Sequence, residues 1–178
     1  MKSIQGLLLT TLLIALTVTA SAQTSVEPMQ PYRSTLTKTD DTGVGLKVGS
    51  LPGVSGKYWM SETRAMDVGL AFYSAATAVN VDYLWEFRDF FADMTNRGYL
   101  EHLVPYTGVG LITGFGSNTQ FFSYQNNNFG LAARFPLGIE FLPRSVRLGA
   151  FFEAALDVGV APVTYGFLTA DIGARYYF

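Results

Sequence analysis

The 178-residue chain contains no cysteine, so disulfides, thiol catalysis, cysteine-ligated zinc and iron–sulfur clusters are all excluded. It has a single histidine, His102, and charged residues make up only 15% of the sequence. The formal net charge of −2 provides no basic surface for a nucleic acid. Since no set of catalytic or metal-binding side chains stands out, we expect neither an enzyme nor a bound cofactor.

The chain also lacks any long apolar run beyond its first residues. That first run, Leu7–Val18, is uncharged, follows Lys2, and is followed by Ala20 and Ala22 at the spacing that signal peptidase accepts. It is shorter than the roughly 20 residues that a bilayer-spanning helix needs. The sequence therefore predicts a signal peptide over residues 1–22, cleaved after Ala22.

The remainder divides into a short leader and one domain. Residues 23–41 contain prolines, serines and threonines without a periodic pattern, which is typical of a flexible segment. We therefore predict a flexible leader over residues 23–41 and a single domain over residues 42–178.

Apolar residues are abundant in this domain, although no stretch of it could form a spanning helix. The whole chain is 49% hydrophobic and 15% aromatic. Over residues 131–141 the odd positions are apolar, and the even ones include Arg134, Gly138 and Glu140. This period of two indicates β-strands, and it recurs over residues 146–158, over residues 168–178 and, less regularly, over five earlier segments.

Most connections between these segments are too short for a parallel crossover, so neighbouring strands should be antiparallel. Bilayer hydrocarbon offers backbone groups no hydrogen-bond partner, so only helices and closed barrels span it. We therefore predict an all-β fold: a single closed, antiparallel, up-and-down transmembrane barrel of about eight strands. Pro136 interrupts one strand pattern and predicts a bulge or a local bend. The longer connection over residues 88–102 has room for a short helix.

The polar face of the predicted strands should point into the barrel. Because an eight-stranded interior is about wide enough to be filled by side chains, and buried charges must be paired, we predict an ion-pair network that closes the lumen. A conducting pore and a lumenal ligand site are the alternatives. The predicted lumen charges are Lys47, Lys57, Asp67, Asp82, Glu86, Arg134, Glu140, Arg147, Glu153, Asp157, Asp171 and Arg175.

Aromatic residues lie on the apolar face near the predicted strand ends. Membrane barrels carry aromatic girdles at both interfaces, and these positions suit such girdles. Core packing in a soluble protein is the alternative. The aromatic residues concerned are Tyr58, Phe72, Trp85, Phe141, Tyr176 and Phe178.

The carboxyl-terminal third, and above all residues 129–141, 149–154 and 171–178, resembles a poorly characterised family of small bacterial outer-membrane β-barrels. In fold it also resembles the OmpA-, OmpX- and OmpW-type barrels. The chain ends in an RYYF sequence whose Tyr176 and Phe178 are similar to the signal read by the barrel-assembly machinery. The resemblance implies an outer-membrane location, contact with outer-membrane lipid and with that machinery, and no established activity.

These observations lead to one principal functional expectation. We expect a monomeric outer-membrane barrel with a closed lumen and a structural, envelope-integrity or surface-interaction role. A small-solute, porin-like channel is the main alternative. An outer-membrane enzyme using His102 at one rim and a soluble, lipocalin-like periplasmic carrier remain as further alternatives.

Overall fold

The structure is a computed structural model, and it describes residues 42–73, 76–88, 90–91, 100–116, 129–143, 146–162 and 164–178. The predicted signal peptide, with Ala20 and Ala22, and the predicted leader lie outside the described residues. So does most of the connection in which the sequence leaves room for a helix.

The described part of the chain forms a closed sheet of eight strands. Each strand pairs antiparallel with its neighbour in sequence, and the last strand pairs with the first. The predicted all-β, up-and-down barrel of about eight strands is thereby confirmed. The strands are β1 (Thr42–Gly49), β2 (Gly53–Ser61), β3 (Arg64–Tyr73), β4 (Ala76–Glu86), β5 (Leu103–Gly116), β6 (Phe129–Phe141), β7 (Leu148–Ala161) and β8 (Gly166–Tyr177).

Helical structure is minor in the described residues. A three-residue 3-10 helix, Leu100–His102, precedes β5. None of the helices in this part of the chain has the length and apolar character required to cross a bilayer.

The pairing registers show how strongly the strands are inclined. Starting from Lys57 on β2, successive Cα partners lead through β1 to Tyr177 on β8. In the other direction, through β3 to β7, they lead to Phe167 on the same strand. The offset between these two end points on β8, about 10 residues, is the shear of the barrel. For eight strands this shear corresponds to a strand tilt of about 40° from the barrel axis. The interior is therefore narrow, and side chains can fill it.

The barrel has two distinct ends. We call the end that carries Thr42 and Phe178 the terminal end; the β2–β3, β4–β5 and β6–β7 connections also lie there. The other four connections, including the short β1–β2 turn, lie at the opposite end.

The bulge predicted at Pro136 is absent, because the strand passes through that position without a register shift. The pairs Gly110–Arg134 and Thr107–Leu137 on either side of it share one register. The proline ring packs inward over Gly108: a Cβ added to Gly108 would lie 3.2 Å from the Cγ of Pro136. The Thr107 hydroxyl donates to the Pro136 carbonyl at 3.0 Å. A glycine and a threonine on β5 thus accommodate the proline.

Candidate functional site: the charged lumen and the apolar outer face

Buried charged side chains fill the middle of the barrel interior. Of the twelve charges that the sequence predicts there, eleven are at most 5% exposed. We call these eleven residues the lumen network: Lys47, Lys57, Asp67, Asp82, Glu86, Arg134, Glu140, Glu153, Asp157, Asp171 and Arg175.

Arg147 is the exception, and its predicted place in the lumen is wrong. β7 begins one residue later, at Leu148, and the Arg147 side chain is exposed. The Arg147 carbonyl accepts a hydrogen bond from the Tyr177 N–H at 2.9 Å, so the residue closes the ladder at the terminal end. The alternation in the sequence already begins before the first residue of the strand, which is why the pattern includes Arg147.

Lys57 lies at the centre of the part of the network nearest the terminal end. Its Nζ is 2.6 Å from Glu86 Oε1 and 2.6 Å from Glu140 Oε2. Trp59 Nε1 donates to Glu86 at 2.6 Å, and the Tyr177 hydroxyl donates to Glu140. Each carboxylate is thus paired and hydrogen-bonded, as burial of a charge requires.

Arg175 on β8 joins this group to the opposite wall of the barrel. Its guanidinium pairs with Asp67 on β3 and lies 3.4 Å from Glu140 Oε1. Its Nε donates to the Ser55 hydroxyl at 2.8 Å. The guanidinium carbon also lies 3.8 Å from the ring centroid of Phe151, so it makes a cation–π contact.

Arg134 on β6 is the centre of the second part of the network. Its Nη2 is 2.7 Å from Glu153, and its Nη1 is 3.1 Å from both carboxylate oxygens of Asp157. Its Nε lies 3.3 Å from Asp82 Oδ2. The Thr169 hydroxyl accepts from Nη1 and donates to Asp157, each at 2.8 Å. One guanidinium therefore neutralises carboxylates from three directions.

Neutral side chains connect these charges. The Tyr106 hydroxyl donates to Glu153 at 3.0 Å, and Lys57 Nζ lies 4.9 Å from the Tyr106 ring centroid, so this tyrosine bridges the two parts. Asn80 donates to Asp82 at 2.7 Å and accepts from Lys47 at 3.1 Å.

None of these neutral side chains is among the lumen residues that the sequence predicts. Tyr106 is not identified because the segment over residues 103–115 is rich in apolar residues and glycine. Its sequence therefore does not show which of its side chains point inward. Thr169 and Ser55 do alternate with apolar residues, and that alternation was an available signal for an inward position.

Apolar clusters cover the network at both ends. At the opposite end, Leu51 in the β1–β2 turn is 1% exposed, and its N–H donates to Asp171 Oδ1 at 2.7 Å. Its cluster comprises Leu51, Ala71, Ala78, Ile112 and Ala132, with Phe167 against it. The terminal-end cluster comprises Trp59, Ala65, Leu84, Val104, Tyr106, Leu142 and Tyr177.

The terminal end has an additional cover in Arg88, which follows β4. Its Nη2 lies 2.7 Å from Glu86 Oε2, and its guanidinium carbon lies 5.2 Å from the ring centroid of Trp59. The Arg88 side chain is 12% exposed, whereas that of Glu86 is fully buried. Arg88 therefore shields the outermost carboxylate of the network from solvent.

No group of three or more His, Cys, Asp or Glu side chains in the described part of the chain is arranged to hold a metal ion. The imidazole of His102 packs edge-on against the ring of Phe141, with ring centroids 5.8 Å apart. The chemistry that the lumen geometry favours is mutual neutralisation of charge.

The outer face has the reverse polarity of the interior. Among the outward positions of the eight strands, Arg64 at the first residue of β3 is the only charged one. The others are mostly large apolar side chains, and three of these, Leu46, Leu137 and Leu168, are more than 60% exposed. An apolar surface of this extent is exceptional on a soluble monomer, whose largest patches measure about 300–600 Å².

Exposed aromatic side chains lie towards both ends of this outer face. Of the residues considered as girdles, Phe72 lies near the opposite end, where Phe115 and Phe129 join it. The remaining five lie near the terminal end: Tyr58, Trp85, Phe141, Tyr176 and Phe178.

Glycine makes room for the network, which leads to a first prediction. An added Cβ on Gly110 would lie 2.0 Å from Asp82 Oδ1 and 2.4 Å from the Val81 carbonyl oxygen. We expect Gly110→Ala to lower the free energy of unfolding by about 1–3 kcal/mol, because the crowded atoms must move. Denaturant unfolding of the purified protein measures this. Gly56→Ala is the matched control, since its added Cβ meets nothing closer than 3.9 Å. Equal stabilities of the two variants would contradict this account.

Comparison with known proteins adds no family. No protein-family model matches the chain, and no curated protein matches it.

Proposed function

We propose that the chain is a bacterial outer-membrane β-barrel with a closed, charge-paired lumen and a structural, envelope-integrity or surface-interaction role. The observation that carries this proposal is the inverted polarity of the barrel, in which the charges lie inside and apolar side chains cover the outer face. Spanning barrels alternate lipid-facing apolar residues with lumen-facing polar ones in this way. Outer-membrane lipid is therefore the partner that fits the outer face.

The contents of the lumen support the closed state that we propose. A conducting pore requires a continuous path of water, whereas here paired charges occupy the middle of the lumen and an apolar cluster covers them on either side. Leu51 and Arg88 sit at the two ends of the network, each held by a bond to one of its carboxylates. A small-solute channel would need both ends and the central ion pairs to open.

Electrical recording tests this proposal. The purified chain is refolded in detergent and added to a planar lipid bilayer, and insertion is verified independently by recovery of the protein with lipid vesicles. We expect insertion without stable single-channel steps. Stable steps would replace the closed-lumen proposal with the channel alternative. A protein that stays in the aqueous phase would contradict the membrane proposal itself.

The last residues also fit a role in assembly. Tyr176 and Phe178 are exposed on the outer face, and Phe178 is bound to β1 through its N–H, which donates to the Thr42 carbonyl at 3.0 Å. We propose that the barrel-assembly machinery reads this outward aromatic pair, as the resemblance of the terminal strand implies.

We expect Phe178→Ala to reduce the amount of folded barrel in the outer membrane several-fold in cells. The same variant should refold in detergent like the wild type, because its side chain is 65% exposed and packs little. Heat-modifiable migration on a gel measures the folded fraction in both settings. Val160→Ala, at an exposed position near the other end of β7, is the control. Equal losses for both variants would argue against a specific signal.

A further inference from the structure

The apolar outer face is much shorter on one side of the barrel than on the other. Its outward side chains extend from Val54 to Met60 on β2, but from Leu103 to Phe115 on β5. At about 2.5 Å of height per residue in strands tilted by about 40°, these spans measure roughly 15 Å and roughly 30 Å. The apolar band of membrane barrels is about 25 Å tall, so the two sides depart from it in opposite directions.

The difference lies at the opposite end of the barrel. Because the strands are inclined, each move to the next strand along a row of paired residues raises the height along the barrel axis by slightly more than one residue. The ends of all eight strands can therefore be compared on one scale of height. On this scale the eight strands end within about three residues of one level at the terminal end. At the opposite end, β1 and β2 stop about five residues, or roughly 12 Å, below β5, β6 and β7. We call this low point of the rim, formed by the β1–β2 turn between β8 and β3, the notch.

The backbone of β8 provides an independent indication that hydrocarbon does not fill the notch. The β1–β8 ladder ends at Gly49–Asp171, and Ser50 adds bonds to the Ala170 N–H and carbonyl. Above that point, in the described part of the chain, β8 pairs with β7 alone. The Tyr165 carbonyl accepts a hydrogen bond from the Gly159 N–H, so it points towards β7. Because the backbone groups of successive strand residues point to opposite sides, those of Leu168, three residues later, point towards the notch. Such groups are costly in lipid and are readily satisfied by water.

We propose that the bilayer is locally thinned against β1 and β2, with its hydrocarbon ending at the level of the β1–β2 turn. On the β5–β7 side the same bilayer has its full thickness. The partner of the short face is thus lipid whose headgroups reach down to the notch. There the headgroups and their water form hydrogen bonds with the backbone groups at the edge of β8. Bilayers adjust in this way to a short apolar stretch at modest cost. This inference rests on the proposed membrane location and specifies how the lipid meets the protein.

Variants that each carry one added, outward tryptophan test the inference in the full chain. Trp59 is buried in the lumen and out of reach of lipid, so Trp85→Phe removes the outward native fluorophore. In that background, reporters near the opposite end are Val48→Trp on the short side and Phe115→Trp on the long side. Reporters near the terminal end are Tyr58→Trp and Phe141→Trp. Each protein is refolded into vesicles of phosphatidylcholine brominated at a shallow, middle or deep acyl position, and quenching reports the depth of each reporter.

Local thinning predicts that both opposite-end reporters are quenched most by shallow bromines, and likewise both terminal-end reporters. A flat bilayer around an upright barrel would instead bury Val48→Trp about 12 Å deeper than Phe115→Trp, which would overturn the inference. A tilted barrel would equalise the opposite-end pair but separate the terminal-end pair, and this result would overturn it too. If no brominated lipid quenched any reporter, the proposed membrane location would fail instead.

Discussion

Replacing Arg134 with methionine is expected to lower the free energy of unfolding of the barrel by about 3–5 kcal/mol, because it leaves buried carboxylates without their cation. Arg134 is in contact with Glu153, Asp157 and Asp82, and its side chain is 1% exposed. Denaturant unfolding of the variant in detergent micelles measures the loss. Arg147→Met is the matched control: the same substitution at an exposed arginine should change stability by no more than about 0.5 kcal/mol.

A compensated variant separates the loss of charge pairing from the loss of packing. If unpaired carboxylates cause the destabilisation, then adding Asp82→Asn, Glu153→Gln and Asp157→Asn to Arg134→Met should recover most of the lost stability. The recovery should appear as a return of the unfolding midpoint at an unchanged dependence on denaturant. If Arg134→Met were no less stable than Arg147→Met, the lumen network would not hold the barrel together.

An arginine placed in the middle of the outer face has the second large expected effect. Leu137 points outward from the middle of β6 and is 64% exposed. In lipid vesicles, Leu137→Arg should cost about 2–4 kcal/mol of folding free energy, because the charge lies near the bilayer midplane. Leu148→Arg, at the first residue of β7 near the terminal end, should cost only about 0–1 kcal/mol. Reversible unfolding in the same vesicles measures both values.

This pair of variants distinguishes a membrane barrel from a soluble one. On a soluble protein both positions are exposed to water, and an arginine at either would be tolerated equally. Equal stabilities of Leu137→Arg and Leu148→Arg would therefore favour the lipocalin-like carrier. A depth-dependent cost is expected only if hydrocarbon surrounds the middle of the outer face.

The extent to which the sequence predicts this fold depends on how clearly each strand alternates. Where charged or small residues alternate with large apolar ones, as in β6 and β8, the pattern indicates both the strand and its inward face. In β5 the inward positions are largely glycine, isoleucine and valine, so neither face stands out, and Tyr106 is not recognised as a lumen residue. Proline is generally disfavoured inside strands, so Pro136 argues against a regular strand in the sequence. The space that Gly108 leaves for its ring depends on pairing with another strand, which the sequence of β6 does not reveal.

The composition of the lumen could be predicted, but not its pairing. Alternation specifies that Arg134 and Arg175 point inward, whereas their partners depend on the shear of the barrel and on side-chain length. Arg134 pairs with Asp157 on the adjacent strand, while Arg175 on β8 reaches across the interior to Asp67 on β3. A pattern along one strand contains no information about such a distant contact. The same limit explains Arg147, because alternation does not indicate where a strand begins.

Fractionation of cells that express the chain tests the central claim most directly. The outer membrane is separated from the periplasm, washed with alkaline carbonate and then extracted with detergent. A barrel whose outer face is surrounded by lipid should remain with the outer membrane through the carbonate wash, be released only by detergent, and migrate heat-modifiably on a gel. Recovery of the folded protein in the soluble periplasmic fraction without detergent would contradict the account.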